Sequence, residues 1–183
     1  MRAEPNDEGP FYYEASLLRR TMAERLPDVP LWLGITLGCL AAAPGCCFSL
    51  AGAVVDVWHT SPSGLYSNVG RDLQPIDTVG QTFLRGHQVT DENGYVGFDT
   101  IVPGWEVVAA APPLMVAQRA THIHVKAFHE HEVLTTQLVL PDPLLNQIYA
   151  DTEPYKSHRF LNALGSTAPM SASVVAKTIS STR

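Results

Sequence analysis

Leu31-Trp32-Leu33-Gly34-Ile35-Thr36-Leu37 opens the stretch whose reading decides the fold. From Leu31 to Val55 no charged residue occurs, and the run is long enough to cross a bilayer as a helix. Gly34, Gly38, Pro44, Gly45 and Gly52 interrupt it, although membrane helices tolerate Gly and Pro. The other reading is a pair of strands. Leu31, Leu33, Ile35 and Leu37 share one face at a period of two. Ala51-Gly52-Ala53-Val54-Val55-Asp56-Val57-Trp58-His59 is rich in β-branched residues and supplies a second strand, with Ala41 to Cys47 as the connection. Two buried strands around a Pro-Gly turn are therefore expected, and no membrane partner.

Outward from this pair, strand patterns and turn signals alternate at close intervals. Thr82 to Thr90 is strand-like, and Asp91-Glu92-Asn93-Gly94 makes a tight reversal into Tyr95 to Ile101. Arg119 to Phe128 and Val133 to Leu140 are further strands, with Pro141-Asp142-Pro143 closing the second. Ser16 to Leu26 offers a Ser cap and a short helical turn, and Leu144 to Ala150 a short helix. Residues 68–80 read as an ordered loop. Glu8-Gly9-Pro10-Phe11-Tyr12-Tyr13 reads as an arm that packs its aromatic rings onto the body. The expected fold is all-β: an immunoglobulin/transthyretin-like sandwich of about seven or eight strands with long loops and short helical turns. The expected division is an N-terminal arm over 1–30, a sandwich core over 31–150 and a C-terminal extension over 151–183.

Composition excludes several partner classes. The 183 residues are 45% apolar and 16% charged, with 14 Pro and 13 Gly, which suits short strands and turns better than a helical bundle. A net charge of −6 and no basic cluster beyond Arg19-Arg20 argue against nucleic acid. Cys39, Cys46 and Cys47 form neither an even set nor a CxxC pair, so they read as inert thiols of a reducing compartment. The polar, acidic start at Met1 carries no apolar signal core, and a cytoplasmic location is expected.

Chemistry enters at Arg119-Ala120-Thr121-His122-Ile123-His124. On a strand, His122 and His124 point to one face, and Ile123 anchors the other. Two neutral imidazoles so placed can hold a metal; taken alone, the same pattern also describes two ordinary core or surface histidines. His129 and His131 flank Glu130 in a polar turn and read as solvent-exposed.

The assembled motifs resemble the intradiol ring-cleavage dioxygenases. Glu8-Gly-Pro-Phe-Tyr, Ala51-Gly-Ala-Val-Val-Asp-Val-Trp-His, Gly64-Leu-Tyr-Ser, Phe83-Leu-Arg-Gly, Thr90-Asp-Glu-Asn-Gly, Thr100-Ile-Val-Pro-Gly-Trp, His122-Ile-His and Thr135-Thr-Gln-Leu occur in the order of that family. The resemblance covers about residues 8–145 and implies a β-sandwich with a non-haem ferric ion held by two Tyr and two His. It places Tyr66, His122 and His124 among the ligands. It makes Arg119 the residue that stabilises substrate charge and Gln137 part of the substrate site. No counterpart of the extra N-terminal helical region of the larger catechol enzymes is expected within these residues.

One departure stands out. Where small relatives have Pro-Gly-Trp-Tyr, this chain has Pro103-Gly104-Trp105-Glu106. A carboxylate is a hard oxygen ligand, and two His with one carboxylate is a familiar set for non-haem iron. The expected site is therefore Tyr66, Glu106, His122 and His124 around iron, ferric by resemblance, with the ferrous state open because Glu106 donates less charge than a phenolate. Glu106 would also have to be the base; the opposing reading makes it a solvated loop acid. Val107 to Gln118, mostly apolar, reads either as loop packing or as a lid suited to a large polycyclic aromatic. His59 is expected to pack near the site, and Arg85 to make structural hydrogen bonds. The implied function is O2-dependent cleavage or related oxygenation of a catechol-type aromatic by a homodimer. A redox-neutral cyclase or dehydratase, or an aromatic-ligand carrier, is the alternative on the same scaffold.

Overall fold

The computed structural model describes residues 8–26, 28–40, 47–106 and 121–157. Among them are β1 (Pro30–Thr36), β2 (Gly38–Leu40), β3 (Cys47–Ser49), β4 (Val54–Trp58), β5 (Arg85–Val89), β6 (Tyr95–Ile101), β7 (His122–His129), β8 (Glu132–Val139) and α1 (Asp142–Asp151). The alternation at Leu31 to Leu37 is realised: Leu31, Leu33, Ile35 and Leu37 turn inward, and Trp32, Gly34 and Thr36 outward. No helix among the described residues is long and apolar enough to cross a membrane.

Among the described residues the pairings between these strands are antiparallel. One sheet has the order β5-β4-β7-β8, a second pairs β1 with β6, and β2 with β3 forms a hairpin. The apolar faces meet in one core: Ile35, Val96 and Phe98 from the small sheet against Val55, Val57, Ile123, Val125 and Ala127 from the large one. Phe98 is fully buried, and a side chain of that size contributes roughly 1.5–3 kcal/mol by leaving water. The architecture is the expected β-sandwich.

The outer face of the large sheet positions the site. Residues directly opposite in an antiparallel pair share a face. Register thus aligns Arg85, Trp58, His124 and Gln137 in one row across the four strands. His87, Asp56, Lys126 and Thr135 form the next row, and Val89, Val54, Phe128 and Val133 the last.

Two expectations need correction. Ser16 to Leu26 is not a helical turn. Its first part runs extended past the sheet edges, bridging Leu18 to His87 and Thr21 to Asp99, and a tight turn closed by Leu26 N to Ala23 O (3.0 Å) follows. Its backbone bonds with both strands (His87 N to Leu17 O at 2.8 Å, Met22 N to Asp99 O at 3.0 Å) outweigh a local cap, and Met22 becomes fully buried. The reversal at Asn93-Gly94 exists, with Gly94 at φ 72°, but it links two sheets instead of closing a hairpin. Thr90 N still bonds Ala53 O beside β4, whereas Leu37 N bonds Gly94 O beside β1. The β2–β3 hairpin was not anticipated; its turn, within the expected Ala41 to Cys47 connection, lies outside the described residues, as does the chain beyond residue 157.

Candidate metal centre

His122 and His124 stand on β7 with Ile123 in the core between them, as the period of two requires. Both imidazoles are buried, and their Nε2 atoms lie 3.0 Å apart. Tyr66 Oη is 3.2 Å from His124 Nε2. Three donor atoms thus crowd one point. An imidazole nitrogen holds a first-row metal at about 2.0–2.1 Å, so two such ligands at a right angle sit about 3 Å apart. Two nitrogens and one phenol oxygen suit a borderline-hard ion such as iron.

Tyr66 lies on the loop after β4, and its backbone is fastened at both ends. Its N–H donates to Gln74 Oε1 (3.0 Å), and its carbonyl accepts from Gln74 Nε2 (3.0 Å) and Thr78 Oγ1 (2.7 Å). Gln74 is fully buried, so the loop is organised around this amide. The sequence reading passed over Gln74 and Thr78; only the polar residue inside an apolar-flanked loop hinted at them.

Aromatic rings enclose the donors. Trp58 stacks on His124 at 4.6 Å and 6° between planes, and Phe11 stacks on Tyr66 at 4.4 Å and 16°. Tyr12 packs on Trp58 at 4.9 Å, and its hydroxyl donates to Asp56 Oδ2 at 2.8 Å. Consecutive arm residues therefore bracket the series Tyr66–His124–Trp58. The arm is pinned further by Lys126 Nζ, which donates to Glu8 Oε2 at 2.5 Å and sits 4.0 Å over the Tyr12 ring.

Glu106 is buried at the end of the segment after β6. Thr60 Oγ1 donates to Gly104 O (2.8 Å) and Gly104 N–H to Ser61 O (3.1 Å), which docks this segment on the loop that leads to Tyr66. Only glycine fits: a Cβ on Gly104 would lie 2.2 Å from Pro62 O. Among the described residues no three His, Cys, Asp or Glu side chains gather as a metal set; the group that gathers includes a phenol. Gln137 pairs with His124 in register and is half-buried beside it. Arg119 and the apolar stretch from Val107 to Gln118 fall outside the described residues.

His59 packs next to this centre as expected. Its Nδ1 faces Thr60 O at 2.9 Å, an atom that only accepts, so Nδ1 carries the proton and Nε2 accepts from Thr100 Oγ1 at 2.7 Å. Burial, chiefly, lowers its pKa to about 4, and the ring is neutral at pH 7. Tyr149, from α1, was also missed. Its hydroxyl donates to Pro103 O (2.7 Å) and bonds Thr121 Oγ1 (3.0 Å), joining the approach to Glu106 with the approach to His122. His129 ends β7 half-buried, and the turn to β8 is Glu130-His131, both exposed.

Comparison with known proteins places this geometry. A family model described as dioxygenase matches residues 8–165. Chlorocatechol 1,2-dioxygenase of Rhodococcus opacus is 28% identical over 160 residues, 81% of this chain and 56% of that protein. The chain spans between 35% and 56% of the curated relatives it matches. An intradiol ring-cleavage dioxygenase from Tetranychus urticae superposes with a TM-score of 0.68 at 27% identity, covering 86% of this chain and 73% of that one. The dioxygenase domain of a carbohydrate-binding fusion protein from Streptomyces sp. SirexAA-E superposes at 0.58 with 26% identity, covering 98% and 96%. A match over that length, on a sandwich of the same build, shows that this chain belongs to the intradiol ring-cleavage dioxygenase family.

Proposed function

We propose that the protein is a non-haem iron dioxygenase that uses O2 on a catechol-type or polyhydroxylated aromatic, by intradiol ring cleavage or a related oxygenation. The observation that carries this reading is the convergence of Tyr66 Oη, His122 Nε2 and His124 Nε2 within 3.0–3.2 Å links at one buried point. Tyr66, His122 and His124 would hold the ion, with Glu106 as a fourth, carboxylate donor. Bound there, iron supplies Lewis-acid activation of the aromatic diol.

The remaining work falls to the chain. Glu106 stands where relatives of this size carry a second Tyr, and its carboxylate oxygen is the group available to take a substrate hydroxyl proton. A carboxylate near its reference pKa of about 4.3 is a weaker base than the phenolate it replaces. Arg119 would add positive charge toward the anionic substrate, and Gln137 would present its amide beside His124. The apolar run from Val107 to Gln118 is suited to exclude water and to favour a large, polycyclic aromatic. Trp58 and Phe11, stacked on two of the donors, keep their rings from turning away.

The test is direct. Protein purified from iron-supplied cells should carry near-stoichiometric iron that His122→Ala loses. Oxygen uptake with mono- and polycyclic catechols should match substrate consumed, with both oxygen atoms in an opened product. Turnover without oxygen uptake would instead favour the redox-neutral reading, and a protein that retains no iron would sink the dioxygenase assignment.

A further inference from the structure

Arg85 opens β5 in the same row as Trp58 and His124, and it is buried. Leu84, just before it, has a left-handed backbone (φ 55°) that few non-glycine residues adopt. A buried guanidinium normally faces a carboxylate. Among the described residues none lies in ion-pair range of Arg85. Its donors go to two main-chain carbonyls and one side-chain hydroxyl. Nη2 donates to Ser67 O (2.8 Å) and to Phe11 O (2.7 Å), and Nε to Ser67 Oγ (3.0 Å) and Ser67 O (3.3 Å). The flat face of the group lies 4.4 Å from the centre of the Tyr13 ring.

These partners share one property. Ser67 follows Tyr66 directly, and Ser67 Oγ also donates to Phe83 O at 2.7 Å. Phe11 is the residue whose ring stacks on Tyr66. Arg85 therefore grips Tyr66 from two sides without touching its hydroxyl. One contact runs through the following residue, the other through the ring that lies flat against it. Gln74 holds the Tyr66 backbone, and the ring sits in a buried cluster with Trp58 and Val69 in which Phe11 lies flat against it. Arg85 holds that arm residue by its carbonyl and the ligand loop by Ser67. A planar fork with several donors can span both carbonyls while stacking on Tyr13; a lysine ammonium has the charge but not the span.

We infer that Arg85 is a positioning residue for the Tyr66 donor: by clamping the aromatic arm to the ligand loop it holds Tyr66 Oη where the two imidazole nitrogens converge. The inference rests on the iron reading above only for its consequence at the metal; the clamp itself is a property of the metal-free chain.

The experiment uses the full chain with 3-fluorotyrosine in place of tyrosine, compared as wild type, Arg85→Met, Arg85→Lys and Phe11→Ala, with Tyr66→Phe assigning the Tyr66 resonance. In metal-free wild type that fluorine signal should be a single narrow line. Arg85→Met should broaden or split it, Phe11→Ala should do the same, and Arg85→Lys should fall between. The second readout is iron. Arg85→Met should weaken iron binding by about 10–100-fold, the usual range for loss of a residue that orients a ligand. It should also weaken or shift the visible band that Tyr66→Phe abolishes. An unchanged Tyr66 line in Arg85→Met overturns the inference. Should Arg85→Met fail to fold, Arg85→Lys decides, because it keeps the charge and removes the fork, and a line as narrow as that of the wild type then overturns the inference. Wild-type protein that takes up no iron overturns the proposed function but leaves the fluorine result to judge the clamp.

Discussion

Tyr149→Phe isolates the joint between the two halves of the centre. The substitution removes one oxygen and leaves the ring, so no cavity opens. It deletes a bond to Pro103 O at 2.7 Å and one to Thr121 Oγ1 at 3.0 Å, both buried. Each bond contributes about 1 kcal/mol net, and the stranded Pro103 carbonyl adds its own desolvation cost, so the expected loss is roughly 2–3 kcal/mol. For a domain of this length that lowers Tm by about 4–12 °C. Burial raises the Tyr149 phenol well above its ordinary range, so the donor is present at every working pH. Urea unfolding followed by tryptophan fluorescence is the assay, with Trp105 packed 5.3 Å from the Tyr149 ring as reporter. Thr121→Val and the double variant complete a cycle whose coupling should be on the order of 0.5–3 kcal/mol. Iron affinity should fall in step, because the two anchored ends lead to Glu106 and His122. Wild-type stability together with wild-type iron affinity in Tyr149→Phe would refute the reasoning.

Three further outcomes are expected. Gly104→Ala places a methyl 2.2 Å from Pro62 O, and since backbone cannot swing aside the 103–106 segment must shift; iron content and activity should drop more than Tm does. Gln74→Ala strips the Tyr66 N–H of its partner and leaves the Tyr66 carbonyl only Thr78 Oγ1, and should cost roughly 2–4 kcal/mol, read by urea titration, with the visible band weakened. His59 gives a pH dependence with a definite sign. Its pKa is about 4 in the folded chain and 6.5 when free, so the unfolded state binds more protons between those values and stability falls as pH drops through that window. From this one group the metal-free protein should be ~2 kcal/mol less stable at pH 5 than at pH 7, and His59→Gln should flatten that part of the slope.

Local periodicity carried much of the fold. Leu31, Leu33, Ile35 and Leu37 alternate because one side of β1 meets the core, and that pattern needs no partner to be seen. His122 and His124 were legible for the same reason. Ser16 misled because a cap is a local signal, and the bonds that decide that segment run to His87 and Asp99. Asn93-Gly94 marked a reversal but not which sheet follows it, since both β5 and β1 offered an open edge. The supports of the centre were the least visible. Tyr149 joins Pro103 to Thr121, Arg85 joins Phe11 to Ser67, and Gln74 encloses Tyr66; none of these pairs has a spacing that a sequence motif records.

The arm's attachment to strands far along the chain bears on the order of folding. Residues 8–22 are made before all of their distant partners, which include Asp56, Arg85, His87, Asp99 and Lys126. Such distant contacts pay loop-closure entropy before they return anything, so they form late. A segment made ahead of its partners is thus the last to seat, and the ring beside Tyr66 arrives with it. Uptake of iron by refolding protein should therefore lag behind recovery of the strand signal, a delay set by the length of chain between Phe11 and Lys126.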